Sequence, residues 1–214
     1  MGKTIQIIAL LVSKPIDKPN LIVTPTVAML QWFSELTNRT TKDLFKILIY
    51  HGPNKTTSKQ ELLNADIILT TYAILESSFR KQQSGFKRKG VTIKEPSLIH
   101  SIHFGRVILD EAHSIKDRTC STARAVFALQ TDIKWALSGT PLQNRVGELY
   151  SLIRFMDIDP FSYYFCKACP CKLHTWTFSN RRHCGMSSHP FLLSSNNNRR
   201  LWTRHTPSFL LVER

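Results

Sequence analysis

The chain has 214 residues, enough for one domain plus a small appendage, and 42 % of them are hydrophobic, which supports a core and excludes wholesale disorder. Twenty-nine Lys and Arg against 15 Asp and Glu give a net charge of +14, a balance that favours a polyanion such as nucleic acid. Five cysteines without a secretory signal argue against a disulfide framework and for a reducing compartment, and no apolar run approaches the ~20 residues of a membrane span.

The chain opens on Gly2-Lys3-Thr4 and runs into an apolar stretch, Ile5 to Val12, that continues a helix. The opening resembles neither a cleavable signal, since no small-residue site follows, nor a myristoylation signal, since Gln6 stands where Ser or Thr is needed. Leu21-Ile22-Val23 is the first of five short apolar runs and ends in Thr24-Pro25. A helix over Val27 to Glu35 is predicted next, with Met29, Leu30 and Phe33 on its inner face. Ile47 to Tyr50 runs into His51-Gly52-Pro53, and Ile67-Ile68-Leu69 runs into Thr70-Thr71. Residues 79–97 form a basic insertion whose Arg80, Lys81, Lys87, Arg88, Lys89 and Lys94 meet a single acid, Glu95. It reads either as a solvated surface loop or as a contact to a phosphate backbone.

Val107-Ile108-Leu109 ends in Asp110-Glu111-Ala112-His113. A helix over Thr119 to Leu129 is predicted to turn Ala123, Val126, Phe127 and Leu129 inward. Trp135-Ala136-Leu137 then ends in Ser138-Gly139-Thr140-Pro141, and Val146 to Met156 forms a last helix with Leu149, Leu152 and Ile153 inward. The five runs are too short for helices and too apolar for half-exposed strands, so they read as strands of a parallel sheet buried on both faces. Alternating strands and helices imply right-handed crossovers and an α/β fold that binds ligands beyond the carboxyl ends of its strands.

Three polar elements carry chemistry. Gly2-Lys3-Thr4 supplies the last three letters of a phosphate loop, in which lysine reaches the β and γ phosphates and the hydroxyl binds Mg²⁺; three letters alone also arise in ordinary sequence. Asp110-Glu111 is an acid pair at the end of a buried strand, where Asp110 would hold Mg²⁺ through water and Glu111 would orient and deprotonate the attacking water. Its alternative is a helix start whose acids meet the macrodipole. Ser138 and Thr140 can sense the phosphate or the acids, or can belong to a plain turn.

Order and spacing make the three specific together. GKTIQ, LIVTPTVAMLQW, ADIILTTYAIL, RVILDEAHSIKD and ALSGTPLQNRVGELYSLIRF resemble successive motifs of the SWI/SNF-type helicase-like ATPases, over residues 1 to about 184. Ser138-Gly139-Thr140 separates the chain from DEAH-box RNA helicases, which carry Ser-Ala-Thr there. The segment from FRKQQSGFKRKG through KEPSLIHSIHFGRVILDEAHSIKDR is similar to the RING-containing branch of global-genome nucleotide-excision repair.

The resemblance implies a RecA-like P-loop ATPase lobe, the first of two, at residues 1–157, using ATP and Mg²⁺. Gly2, Lys3, Thr4, Asp110, Ser138 and Thr140 would hold the nucleotide and Asp110 and Glu111 would be catalytic. Thr24, Pro25, Thr70 and Thr71 look like the turns that track a DNA strand in the family, or else cap the next helices. Double-stranded DNA and chromatin would be partners, with repair-complex subunits, in the nucleus and away from membranes.

Residues 158–184 would begin a cysteine-rich extension, with Cys166, Cys169, Cys171 and Cys184 as Zn²⁺ ligands or as reduced thiols; a closing Cys-x-x-Cys is lacking after Cys184. Residues 185–214 match nothing in the family and are expected to be disordered or aberrant. The loop's leading glycines and the second lobe are absent, so the chain is expected to be clipped at both ends and to have little activity alone. The competing reading is a non-catalytic DNA- or partner-binding module; a zinc-dependent interaction domain at 158–190 is a third.

Overall fold

The computed structural model describes residues 2–52, 55–88, 91–139, 146–159, 161–162, 164–165 and 172–173. The elements run α1 (Lys3–Ser13), β1 (Asn20–Thr24), α2 (Thr26–Asn38), β2 (Ile47–Ile49), α3 (Lys59–Leu63), β3 (Ile67–Thr71) and α4 (Tyr72–Gln83). They continue with β4 (Phe86–Arg88), β5 (Val91–Ile93), β6 (His103–Leu109), α5 (Ser121–Phe127), β7 (Gln130–Ala136), α6 (Val146–Met156), β8 (Tyr164–Phe165) and β9 (Lys172–Leu173). Short 3₁₀ turns cover Ile99–Ser101 and Ala112–Ile115. Among the described residues, no helix is long and apolar enough to cross a membrane.

Five strands form one parallel sheet in the order β2-β3-β1-β6-β7. Each central strand sends alternate side chains to opposite faces, as a period of two requires. Leu21, Val23, Ile68, Val107 and Leu109 face one core with Leu75 of α4, Ala123 and Val126 of α5, and Leu152 and Phe155 of α6. Ile22, Ile67, Leu69 and Ile108 face the other, with Ile7, Ile8 and Leu11 of α1 and Met29, Trp32 and Leu36 of α2. Helices cover both sides, and the predicted α/β class with its parallel sheet is the architecture found.

Several details depart from the sequence reading. Burial on both faces holds for β1, β3 and all but the first residue of β6, whereas β2 and β7 are partly exposed along their length, because an open sheet has two edges. In α2 the buried residues are Met29, Trp32 and Leu36, while Leu30 is 68 % and Phe33 37 % exposed. Apolar residues occupy more than one stripe of that helix, so periodicity alone did not select the face. Helix α5 is shorter than predicted: Cys120 caps its start by accepting a hydrogen bond from the Ala123 N–H, and Leu129 is buried beyond its end. Phe127 is half-buried and stacks under the Arg154 guanidinium, 4.6 Å away. In α6 Leu152, Ser151 and Phe155 are buried, and Leu149 and Ile153 half-buried. The basic insertion is the end of α4 followed by an antiparallel hairpin, β4–β5.

The amino end of the sheet is a polar structural cluster. Arg106, 2 % exposed, donates to Asn20 Oδ1 and to the Lys14 carbonyl. Gly105 lies so close to the preceding loop that a Cβ there would sit 2.8 Å from Ile16 Cγ2.

Candidate active site

Register gathers the polar turns at the other end. Thr24 pairs with Thr71 across β1 and β3, Val23 with Leu109 across β1 and β6, and Leu109 with Ala136 across β6 and β7. The residues that follow these pairs, Pro25, Tyr72, Asp110 and Leu137, therefore emerge along one sheet edge. The chain passes from β1 to β2 and β3 on one side, then crosses to β6 on the other. This places a switch in strand order at β1, where open α/β sheets form their binding crevice.

The amino end of α1 reaches the same edge. Gly2 stands before the helix with φ 98°, a left-handed conformation that costs glycine little and other residues more. Lys3 starts the helix, and its ammonium donates to Glu111 Oε1 at 2.9 Å, joining residues 108 positions apart. A Cβ placed on Gly139 would lie 3.9 Å from Lys3 Nζ, so the turn after β7 passes beside the same ammonium. Thr4 is half-buried one residue on.

The two acids differ. Asp110 is 9 % exposed, and its carboxylate accepts from two neutral N–H groups. The indole of Trp32 donates to Oδ2 at 2.7 Å, and the Glu111 backbone N–H to Oδ1 at 3.0 Å. Glu111 is more open, and its backbone is left-handed, with φ 46° and ψ 56°. A non-glycine residue held so costs about 1–3 kcal/mol, a strain that collects at functional positions. His113 Nδ1 lies 3.3 Å from Glu111 Oε2, near enough for an ion pair when the imidazole is protonated but outside hydrogen-bond geometry. Beneath the pair, Tyr72 donates its hydroxyl to the Asp110 carbonyl at 2.7 Å. Burial, and then the nearby Asp110 and Glu111, hold that phenol well above its usual pKa, so it stays a neutral donor.

This donor set fits a magnesium-bound phosphate group. Mg²⁺ takes hard oxygen ligands and is held by one or two carboxylates together with substrate phosphates. Asp110 offers a buried carboxylate that no cationic side chain pairs with among the described residues, and Lys3 offers an adjacent ammonium. Among the described residues, no cluster of three His, Cys, Asp or Glu forms a self-sufficient metal cage.

Gly2, Lys3, Thr4, Asp110, Glu111 and Ser138 all lie on elements that end at this edge. Thr140, Cys166, Cys169, Cys171 and Cys184 lie outside the described residues. Thr24, Thr70 and Thr71 are each at most 1 % exposed, backbone and side chain together. Thr24 Oγ1 donates to the Pro25 carbonyl and Thr70 Oγ1 to the Tyr50 carbonyl. Thr71 precedes α4, yet its hydroxyl makes no capping bond, and Pro25 has none to offer α2. Helix capping by these side chains is therefore not found. Trp32 and Tyr72, which end at Asp110, and His113, which faces Glu111, were missed by sequence reasoning, since an apolar helix position and two ordinary polar letters give no sign of those contacts.

Comparison with known proteins gives consistent matches. The SNF2-related domain family matches residues 1–169. ATP-dependent helicase rhp16 of Schizosaccharomyces pombe is 53 % identical over 189 residues, which are 88 % of this chain and 22 % of that protein. DNA repair protein RAD5 of Saccharomyces cerevisiae is 36 % identical over 149 residues, covering 68 % of this chain and 13 % of that protein. The chain thus spans about a fifth or less of these relatives' length. Among solved structures, the Sulfolobus solfataricus SWI2/SNF2 ATPase core in complex with dsDNA matches with a TM-score of 0.56 and 26 % identity, over 73 % of this chain and 29 % of that one.

Proposed function

The chain belongs to the SNF2-related domain family, and from that premise we propose that it is the first ATP-binding lobe of an ATP-driven DNA translocase of chromatin and nucleotide-excision repair. The observation that carries this reading is the contact between Lys3 and Glu111 at the carboxyl edge of the parallel sheet, beside Asp110. Lysine, hydroxyl and two carboxylates arranged so suit phosphoryl transfer to water, a reaction that needs positioning and charge stabilisation more than covalent help.

In this reading Gly2 lets the chain turn into α1, Lys3 would bind the β and γ phosphates, and Thr4 and Asp110 would hold the metal. Mg²⁺, when bound, would neutralise the negative charge of the phosphates. Glu111 orients the attacking water and takes its proton. Ser138 and Thr140 report the state of the phosphate to the rest of the lobe. DNA lies against the turns at Thr24-Pro25 and Thr70-Thr71. Because Thr24, Thr70 and Thr71 are buried as whole residues, the contact falls to the exposed residues that follow them, Thr26 and Ala73.

The lobe spans 1–157, and the segments 158–184 and 185–214 are its cysteine-rich extension and tail. Zn²⁺ at Cys166, Cys169, Cys171 and Cys184 and a nuclear location complete the proposal. A single lobe is expected to turn over slowly, since two-lobe motors draw γ-phosphate arginines from the partner lobe.

Phosphate release with and without duplex DNA tests this reading. The isolated chain should release little, and joining it to a complete phosphate loop and a second lobe should give DNA-stimulated release that Glu111→Gln removes. Absence of nucleotide binding in that completed protein would sink the reading. The net charge of +14 favours a second reading, DNA binding without hydrolysis. It predicts duplex affinity that falls steeply with salt and is indifferent to Glu111→Gln.

A further inference from the structure

Each of the two turns assigned above to DNA leads directly into a helix, and each helix sends one aromatic side chain to Asp110. Thr24-Pro25 leads into α2, where Trp32 lies six residues past Thr26, about 9 Å along the axis at 1.5 Å per residue. Thr70-Thr71 leads into α4, whose first residue is Tyr72. Trp32 packs in the core on one face of the sheet and Tyr72 in the core on the other, so Asp110 is gripped from both sides. The grips act on different atoms. Trp32 Nε1 donates to carboxylate Oδ2 at 2.7 Å, and the Tyr72 hydroxyl donates to the backbone carbonyl at 2.7 Å. Helix α2 thus sets the aim of the carboxylate, and α4 holds the peptide that leads into the left-handed Glu111.

We propose that Trp32 and Tyr72 are positioning residues through which DNA at the two turns re-aims Asp110 and the following Glu111, and so couples DNA binding to nucleotide binding. The inference rests on the proposed function and adds the route of regulation to it. A bond from an indole to a buried carboxylate is charge-assisted and directional, so a small displacement of α2 changes it sharply. The carbonyl grip acts independently through α4. Loss of one grip should weaken the coupling and loss of both should abolish it. By linkage the effect is reciprocal: DNA alters nucleotide affinity by the same factor as nucleotide alters DNA affinity.

The test titrates a fluorescent ATP analogue with Mg²⁺ into the chain, with and without saturating duplex DNA, and takes the ratio of the two affinities. Trp32→Phe keeps the apolar ring but loses the N–H, and Tyr72→Phe loses one oxygen. Each should bring the ratio at least threefold closer to one, and the double variant should reach one. Trp135→Phe, which removes an indole whose N–H makes no hydrogen bond among the described residues, should keep the wild-type ratio. A purely structural role would lower melting temperature and both affinities yet leave the ratio unchanged, and that result overturns the proposal.

Should Trp32→Phe not fold, NMR of the wild-type chain decides. The Trp32 indole N–H resonance should shift on adding duplex DNA, and a fixed indole while residues 24–26 respond overturns the relay. A wild-type chain that binds DNA and nucleotide with a ratio of one overturns the relay but leaves the proposed function standing. A completed protein that binds neither removes both.

Discussion

Lys3 and Glu111 hold each other at 2.9 Å across 108 positions of chain, and each is the counter-charge of a group the proposed reaction needs. Lysine must reach phosphate and glutamate must reach water, so the pair keeps both in the crevice at low cost. Their side chains remain 25 % and 36 % exposed, and an ion pair this open is worth at most ~1 kcal/mol. Lys3→Ala should therefore barely move the melting temperature while lowering Mg-nucleotide affinity tenfold or more. A large fall in melting temperature with unchanged affinity would make Lys3 a structural residue.

Asp110→Ala leaves the buried indole N–H of Trp32 without an acceptor. An unsatisfied buried donor costs about 1–3 kcal/mol, so this variant should be destabilised by that amount in urea unfolding. Asp110→Ala combined with Trp32→Phe should recover part of the loss, because the orphaned donor is then gone. Additive losses would mean that the bond contributes nothing.

The left-handed backbone at Glu111 predicts an inversion of the usual helix-scale preference. Glycine has no Cβ to meet the carbonyl at φ 46°, so Glu111→Gly should be more stable than Glu111→Ala by about 1 kcal/mol. Both should lack hydrolysis in the completed protein. Equal melting temperatures for the two would show that the strain is not held in solution.

At the other end of β6, Gly105→Ala brings a methyl group to 2.8 Å from Ile16 and 3.3 Å from the Lys18 carbonyl. Overpacking of this kind costs about 1–3 kcal/mol. The change should lower stability and leave nucleotide affinity alone, since the crevice lies at the opposite end of the sheet. A selective loss of affinity would contradict that separation.

His100 gives the pH dependence a sign. Burial lowers its pKa from the usual value of about 6.5, against a smaller raising effect of the Ala125 carbonyl that its Nε2 meets at 3.0 Å. The unfolded chain then takes up a proton that the folded chain refuses. This contribution to stability is full above the unfolded pKa and is lost as pH falls below about 6.5 towards the folded value. Unfolding midpoints between pH 8 and pH 5 should drop on the acid side, and His100→Phe should flatten that slope. An unchanged slope would assign it to other groups.

Strand runs, the order of the motifs and the α/β class were legible in the sequence, because a strand buried on both faces must be apolar throughout and a phosphate crevice needs lysine, hydroxyl and acids at strand ends. The face of α2 was not legible. Val27, Met29, Leu30, Trp32, Phe33 and Leu36 offer apolar side chains around much of the helix, and only packing against α1 and the sheet selected Met29, Trp32 and Leu36. The left-handed turn at Glu111 and the two aromatic grips on Asp110 likewise belong to the tertiary structure alone. A hydrogen bond between residues 78 apart depends on register, and register is fixed only when the five strands pair and bring their carboxyl ends to one edge.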